Sequence, residues 1–444
     1  MKKIVKDNSI KSQDKKAFGL WSAVFLGIGS MVGAGIFIVI GQAGAIAGNL
    51  VWLTFVIGGI IALLSGYSLA KLALRYPSRG GIIEYLVQGY GEGFFSGSLG
   101  VLFYLSQLVS LAAVSKSFGT YAATYMGSNQ HFWTNCFGIG IIVLFTLINL
   151  IGATWVAKSE NIIVIVKLAI LITFTIAASF YIDPDRLKIS EAPPIMNIFY
   201  ALGLVFFAYQ GFSVITNSVE DMESPQKTML KAMIISIMLV AVLYISVSIV
   251  VLGNLSLPQI IEAKDYALAE AAKPAFGQIG FKVMAAAALI ATASAINATL
   301  YAVSEISYTL AKNGALPKEY EYHVFNNSEG LLISAACIVP MIMFMTLDQI
   351  TIVAAIAVLL IQGFTHIGHF LKKDETGANI FLLLLAIVGM FSAAFLAIDY
   401  TRRSMPHIVY YLLGAFLLAY MLEVVLRLFT GRVIQRSTPD SHFL

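Results

Sequence analysis

The sequence predicts an all-α polytopic membrane protein with twelve transmembrane helices, and three observations carry that reading. Of its 444 residues, 59% are hydrophobic and only 12% charged, whereas a soluble domain carries about 25% charged residues. The charges are also unevenly placed. No Asp, Glu, Lys or Arg lies between Lys16 and Lys71, and Lys116 is the sole one between Gly93 and Ala157. About 20 apolar residues cross a bilayer. Finally, the apolar runs are continuous and lack period-2 alternation, so they read as helices and not as barrel strands.

Twelve segments follow in order. The first six are roughly 17–47, 51–76, 93–126, 132–156, 161–182 and 194–219. The second six are roughly 229–254, 279–311, 330–347, 349–371, 379–398 and 407–429. The connections are too short for a soluble domain. Residues 1–16 are polar and Lys-rich and read as a tail, as do residues 431–444. The first apolar stretch runs far beyond the h-region of a signal peptide. With the N-terminus in the cytoplasm, nineteen Lys and Arg fall on the inner side and seven on the outer. The positive-inside rule then puts both termini in the cytoplasm of a multi-pass cell-membrane protein. A net charge of +4 is too small and scattered to suggest a nucleic-acid partner. Cys136 and Cys337 read as packing residues at apolar segments, not as a disulfide or metal pair.

Span 1 holds Gly27, Gly29, Gly33 and Gly35 near its middle. Glycines at four-residue spacing suit close helix packing. Four within nine residues also weaken the helix, by about 1 kcal/mol each relative to Ala. A helix broken at the midplane survives only where it lines a cavity or is buried in protein. Span 6 has a counterpart at Phe207-Ala208-Tyr209-Gln210-Gly211-Phe212-Ser213. The two spans run in opposite directions and stand five apart. That is the pattern of an inverted repeat of five plus five spans with discontinuous helices 1 and 6. The repeats would be residues 17–182 and 194–371, with 379–430 outside them.

Four stretches are similar to the amino acid–polyamine–organocation (APC) transporter superfamily. They are Gly33-Ala34-Gly35-Ile36-Phe37, then Tyr76-Pro77 to Gly80-Gly81, and then Gly211-Phe212 with Glu220 and Pro225. The fourth is Ser294-Ala295-Ile296-Asn297-Ala298, leading to Ala311-Lys312-Asn313-Gly314-Ala315-Leu316-Pro317. Together they span about residues 18 to 430. The chain most resembles the proton-dependent prokaryotic amino acid transporters. The resemblance implies a LeuT-like fold and amino-acid transport. Glu305 departs from the pattern, since many members carry Arg there.

A broken helix exposes N–H groups at one new end and carbonyls at the other. The first suits a carboxylate and the second an ammonium, so paired breaks read the backbone of a free amino acid. Val32, Gly33, Ala34 and Gly35 would supply N–H groups. Carbonyls near Ile28 and around Phe207, Ala208 and Tyr209 would take the ammonium, and glycine would keep Cβ atoms out of the substrate's way. Ser30, Met31, Phe207, Tyr209, Gln210 and Phe212 lie beside the breaks, and none is acidic. A neutral amino acid is therefore favoured over a cationic amino acid or polyamine.

Lys167 lies near the middle of span 5. A central lysine costs about 2.5–3.5 kcal/mol on insertion scales, so it needs a polar interior. The resemblance implies that its ammonium stands where sodium-coupled relatives bind an ion, bridging carbonyls near Gly27 and Ile28 to the Ser294 hydroxyl. Lys167 would then be the proton-carrying residue. Lys116 would snorkel or bond a neighbour. His366 and His369, one turn apart, are expected at the inner interface beside Lys372 and Lys373. Tyr410, Tyr411 and Tyr420 read as interface aromatics.

The sequence thus favours a secondary transporter coupled to a proton, with an amino acid exchanger as the main rival. A channel lacks repeated filter segments, and an enzyme lacks a catalytic cluster. No cofactor and no metal are indicated, and oligomeric state is not legible.

Overall fold

The computed structural model describes residues 18–33, 35–151, 155–188, 193–325, 327–431 and 433–435. Expectations for Ala34 and for the tail 1–16 lie outside the described residues. The first apolar stretch forms two helices, α1 (Leu20–Met31) and α2 (Gly35–Ala47). A 3₁₀ turn at Gly48–Leu50 reverses the chain. Gly48 sits at φ +56, a region glycine enters without a Cβ penalty. Then come α3 (Val51–Arg75), the short α4 (Ile82–Tyr90), α5 (Phe94–Ala123), α6 (Gln130–Ile151) and α7 (Trp155–Ser179).

The sixth apolar stretch is also in pieces. Two α-helices, α8 (Met196–Tyr200) and α9 (Leu202–Tyr209), are followed by a 3₁₀ helix, Gln210–Asp221. That helix has 12 residues, where 3₁₀ runs beyond 3–4 residues are uncommon. Next are α10 (Pro225–Asn254) and the loop helices α11 (Leu257–Glu262) and α12 (Ala267–Glu270). The long α13 (Lys273–Lys312) kinks at Gly277, where φ is 61°. A small antiparallel pair, β1 (His323–Val324) and β2 (Asn327–Ser328), leads to α14 (Glu329–Phe344). The chain finishes with α15 (Leu347–Leu371), α16 (Lys373–Thr376), α17 (Ile380–Ser404) and α18 (Pro406–Thr430).

Among the described residues, ten helical stretches are long and apolar enough to cross a membrane, and Leu20–Met31 and Glu329–Phe344 are shorter apolar helices. One of the ten, Gly35–Arg75, contains both α2 and α3 with the turn at Gly48 between them. The protein is therefore a polytopic all-α membrane protein. The broken stretches sit at its centre, where α1 packs on α10 and the 3₁₀ helix, and α2 packs on α9. Helices α3, α5, α13 and α15 surround them. The outer helices turn apolar side chains outward, among them Leu147 on α6, Ile172 on α7, Val388 on α17 and Leu417 on α18. Such a surface suits hydrocarbon and not water.

The structure corrects three of these expectations. Cys136 and Cys337 are free and exposed on the outer surface, so they are not core packing residues. His366 and His369 are fully buried between α3 and α15 instead of lying at an interface. The connections also hold ordered helices, α4, α11 and α12, with buried apolar faces.

Candidate functional site

The last backbone bond of α1 runs from the Val32 N–H to the Ile28 carbonyl, 2.8 Å. Ile28 is thereby satisfied, and the next carbonyl, that of Gly29, accepts from the Lys167 Nζ at 2.8 Å. The ammonium thus caps the end of a broken helix, where carbonyls carry partial negative charge. Lys167 is 1% exposed.

The two breaks meet backbone to backbone. A Cβ on Gly35 would stand 2.7 Å from the Ala208 Cα and 2.8 Å from its carbonyl oxygen. A Cβ on Gly211 would stand 2.6 Å from the Met31 nitrogen and 2.7 Å from the Ser30 oxygen. Each broken stretch therefore offers one glycine to the other's backbone. Tyr244 on α10 fastens the junction, its hydroxyl 2.7 Å from the Met31 carbonyl and 3.3 Å from that of Ala208. One O–H is shared between the carbonyls of the two breaks. Tyr209 is turned away and donates to the Phe55 carbonyl at 3.0 Å.

A cavity of about 560 Å³ opens beside this junction, in the size range of small-molecule sites. Gly29, Ser30, Met31 and Gly35 line one wall, and Phe207, Ala208, Gln210 and Gly211 another. Gln107 and Ser110 on α5, Asn149 on α6, Asn297 on α13 and Gln362 on α15 supply polar groups. Among the described lining residues there is no Asp, Glu, Lys, Arg or His. The Gln210 Oε1 and the Ser110 Oγ are buried with no partner among the described residues. Buried polar atoms are normally paired, so both are suited to a bound molecule. Asn149 Nδ2 donates to Asn297 Oδ1 at 3.0 Å, which fixes the two amides.

The cavity extends toward the end of the bundle where α1 begins, past Leu26, Ile82, Tyr301 and Asn327. The opposite end is closed by the α11–α12 loop. There Gln42 donates to Asp265 at 3.2 Å, and Lys264 pairs with Asp348 at 2.9 Å. Burial pushes the Asp265 carboxyl above the usual carboxylate range. Burial opposes the Lys264 ammonium, yet the Asp348 carboxylate holds its pKa above the ordinary lysine value.

The amino acid permease family model matches residues 18–442. The chain is 32% identical to the inner membrane transport protein YbaT of Escherichia coli, over 95% of this chain and 98% of the relative. It is 26% identical to the serine/threonine exchanger SteT of Bacillus subtilis, over 68% and 70% of the two chains. It is 22% identical to the branched-chain amino acid permease BcaP of the same organism, over 68% of each chain. The chain belongs to the amino acid permease family. It is accordingly an APC-superfamily membrane protein of amino-acid transport.

In this permease the residues singled out from the sequence divide into two groups. Ser30, Met31, Gly35, Phe207, Ala208, Gln210 and Ser294 line the cavity. Ile28, Val32, Tyr209 and Phe212 are buried in the protein instead, and Phe212 packs edge-on to Phe206. Gly27 and Gly33 are not part of the lining either. A Cβ on Gly27 would meet Ile215 at 2.5 Å, and one on Gly33 would meet Ala295 at 2.9 Å. Their small size serves helix packing, and Gly35 admits the Ala208 backbone where room for substrate is expected from the sequence. Among the described residues no hydrogen bond joins Lys167 to Ser294, and the carbonyl it engages is Gly29's. Lys116 donates to the Ile342 carbonyl at 2.7 Å and to that of Met345, so it caps α14. Sequence reasoning missed Tyr244, Gln107, Ser110, Asn149, Asn297 and Gln362. Each is a lone polar letter in an apolar run, and the signal is that such letters cost free energy unless they face a polar interior.

Proposed function

We propose that the permease is a secondary active transporter that takes up neutral L-amino acids together with a proton by alternating access. The observation that carries this reading is the cavity at the junction of the two breaks, which has polar walls and no charged side chain. A neutral side chain needs no counter-charge there. A cationic one would lie desolvated without a partner, at a cost of several kcal/mol. The substrate's ammonium suits the Gln210 Oε1 and nearby carbonyls, and its carboxylate suits the N–H groups at the start of α2.

Lys167 is the proposed proton carrier. Protonated, its ammonium ties α7 to the Gly29 carbonyl; neutral, it lets α1 move relative to α7. That is a two-state element biased by a proton. Counting α1 with α2 as one span, and α8, α9 and the 3₁₀ helix as another, gives twelve. The reading includes a LeuT-like five-plus-five repeat over 17–182 and 194–371, cytoplasmic termini, and a cavity open to the cytoplasm. Exchange is the second reading, favoured by the likeness to a relative named as an exchanger. Uptake of radiolabelled amino acids into proteoliposomes tests both. Accumulation driven by an inward proton gradient with empty vesicles is expected. Uptake only into vesicles preloaded with amino acid would establish exchange instead.

A further inference from the structure

A line of buried side chains runs from the cavity along the contact of α3 with α15. Gln362 lines the cavity. The Ser65 hydroxyl donates to the Gln362 Oε1 at 2.9 Å. Ser65 Oγ also lies 2.9 Å from the His366 Nε2, and the His366 Nδ1 lies 2.8 Å from the Ser68 Oγ. Ser68 Oγ is 2.7 Å from the His369 Nδ1, and the His369 Nε2 is 2.8 Å from the Thr376 Oγ1. Both serines and both histidines are fully buried.

Each hydroxyl has one hydrogen, and each neutral imidazole has one N–H. That constraint sets the direction of the whole line. Ser65 spends its hydrogen on Gln362, so it must accept from the His366 Nε2–H. His366 then has a bare Nδ1 and accepts from Ser68. Ser68 in turn accepts from the His369 Nδ1–H, which leaves the His369 Nε2 to accept from Thr376. All the hydrogens point toward the cavity, and no buried donor or acceptor in the line is left over. The end point is a Gln362 amide with its oxygen committed to Ser65 and its Nε2 available to the cavity.

We propose that Gln362 is a specificity-determining donor to the transported amino acid, and that Ser65, His366, Ser68 and His369 are positioning residues that hold its amide in that orientation. The proposal rests on the reading of the cavity as the substrate site. It explains why two histidines are kept in a dry interior without a metal or a charge partner. It also marks Gln362 as the place where an acid would be accepted most readily, because Ser65 would donate to a carboxylate oxygen as it does to the amide.

Two measurements test it. The first is the kinetics of uptake for neutral and cationic amino acids in proteoliposomes, with monodisperse protein required of every variant. Gln362→Glu is expected to admit lysine or arginine and to weaken neutral substrates about tenfold. Ser65→Ala and His366→Leu touch no substrate, and are expected to raise KM about fivefold with kcat within twofold of wild type. His366→Gln, whose amide nitrogen can still donate to Ser65, is expected to recover most of that loss. Unchanged KM and selectivity in Gln362→Glu, or unchanged KM in both Ser65→Ala and His366→Leu, would overturn the proposal. The second measurement is independent of transport: ¹⁵N NMR of imidazole-labelled wild type in nanodiscs. His366 is expected as the Nε2–H tautomer and His369 as the Nδ1–H tautomer, and the reverse pair overturns the assigned direction. A wild type that takes up no amino acid would refute the transport reading, while the tautomers still decide the direction of the line.

Discussion

Two lysines lie buried in this bundle, and both cap the carbonyl end of a helix, yet their surroundings differ. Lys116 on α5 holds the Ile342 and Met345 carbonyls at the end of α14. That end turns at once into α15, whose start is locked by the Thr346 and Gln349 capping box. The corner has one arrangement, and the ammonium completes it. Lys167 on α7 holds the Gly29 carbonyl at the end of α1. That end is followed by a break, and its far side is the cavity wall. A charge inside a membrane span is therefore not in itself a mark of function. What distinguishes the two is whether the helix end they cap is fixed or free to change.

The sharpest way to break this comparison is to remove each charge in turn. Lys167→Ala is expected to bind amino acid with near-wild-type affinity but to lose pH-driven accumulation about 100-fold or more, read by uptake at two external pH values without sodium. Lys116→Met is expected to do the opposite, lowering the melting temperature while the folded fraction keeps its pH response. Equal loss of coupling in both variants would erase the distinction. Gly35→Leu is next in size. Its side chain collides with the Ala208 backbone, which cannot yield cheaply, so the junction should come apart and substrate binding should fall beyond detection in protein that still inserts.

Smaller effects sharpen the contrast between fixed and mobile ends. Tyr244→Phe removes the shared O–H at the two breaks, at a net cost of about 1 kcal/mol. Substrate affinity should drop about fivefold by equilibrium binding, with no change in pH dependence. Asp265→Asn probes the closed end. Burial raises the Asp265 carboxyl, so its ionisation opposes the closed loop. Its contribution to stability is full below the unfolded-state pKa of about 4 and is lost as pH rises through the higher folded-state value. Melting curves in detergent should show this acid-side gain in wild type, and Asp265→Asn should flatten it.

Much of the plan was legible from residue order, and the reason is physical. Glycines packed into one apolar stretch weaken a helix wherever it sits, so the break after Met31 could be read locally. A lysine between Val166 and Leu168 has nowhere to go but a polar interior, so Lys167 could be singled out. What each glycine faces was not legible. Gly35 meets Ala208 and Gly33 meets Ala295 through contacts that only the fold creates. The histidines were misplaced for the same reason. His366 and His369 stand close to Lys372 in sequence, which suggested the interface, but their partners Ser65 and Ser68 lie some 300 positions away on α3. Polar lining residues such as Gln107 and Asn297 are isolated in apolar runs, and sequence alone does not say which face of a helix they occupy.

The 3₁₀ helix at Gln210–Asp221 has a mechanical consequence. A 3₁₀ helix rises about 2.0 Å per residue and an α-helix about 1.5 Å, so its 12 residues extend about 24 Å as they stand and would extend about 18 Å if rewound as α. The difference of about 6 Å is roughly one α-helical turn. One end of this rod is the cavity wall at Gln210. The other carries Glu220 and Asp221, which hold Arg79 at 3.5 and 3.2 Å. Rewinding would draw these two ends together without moving any other helix as a body. The segment is thus a ratchet tooth in the backbone itself, one that converts a change of winding at the substrate into a stroke at the mouth of the cavity.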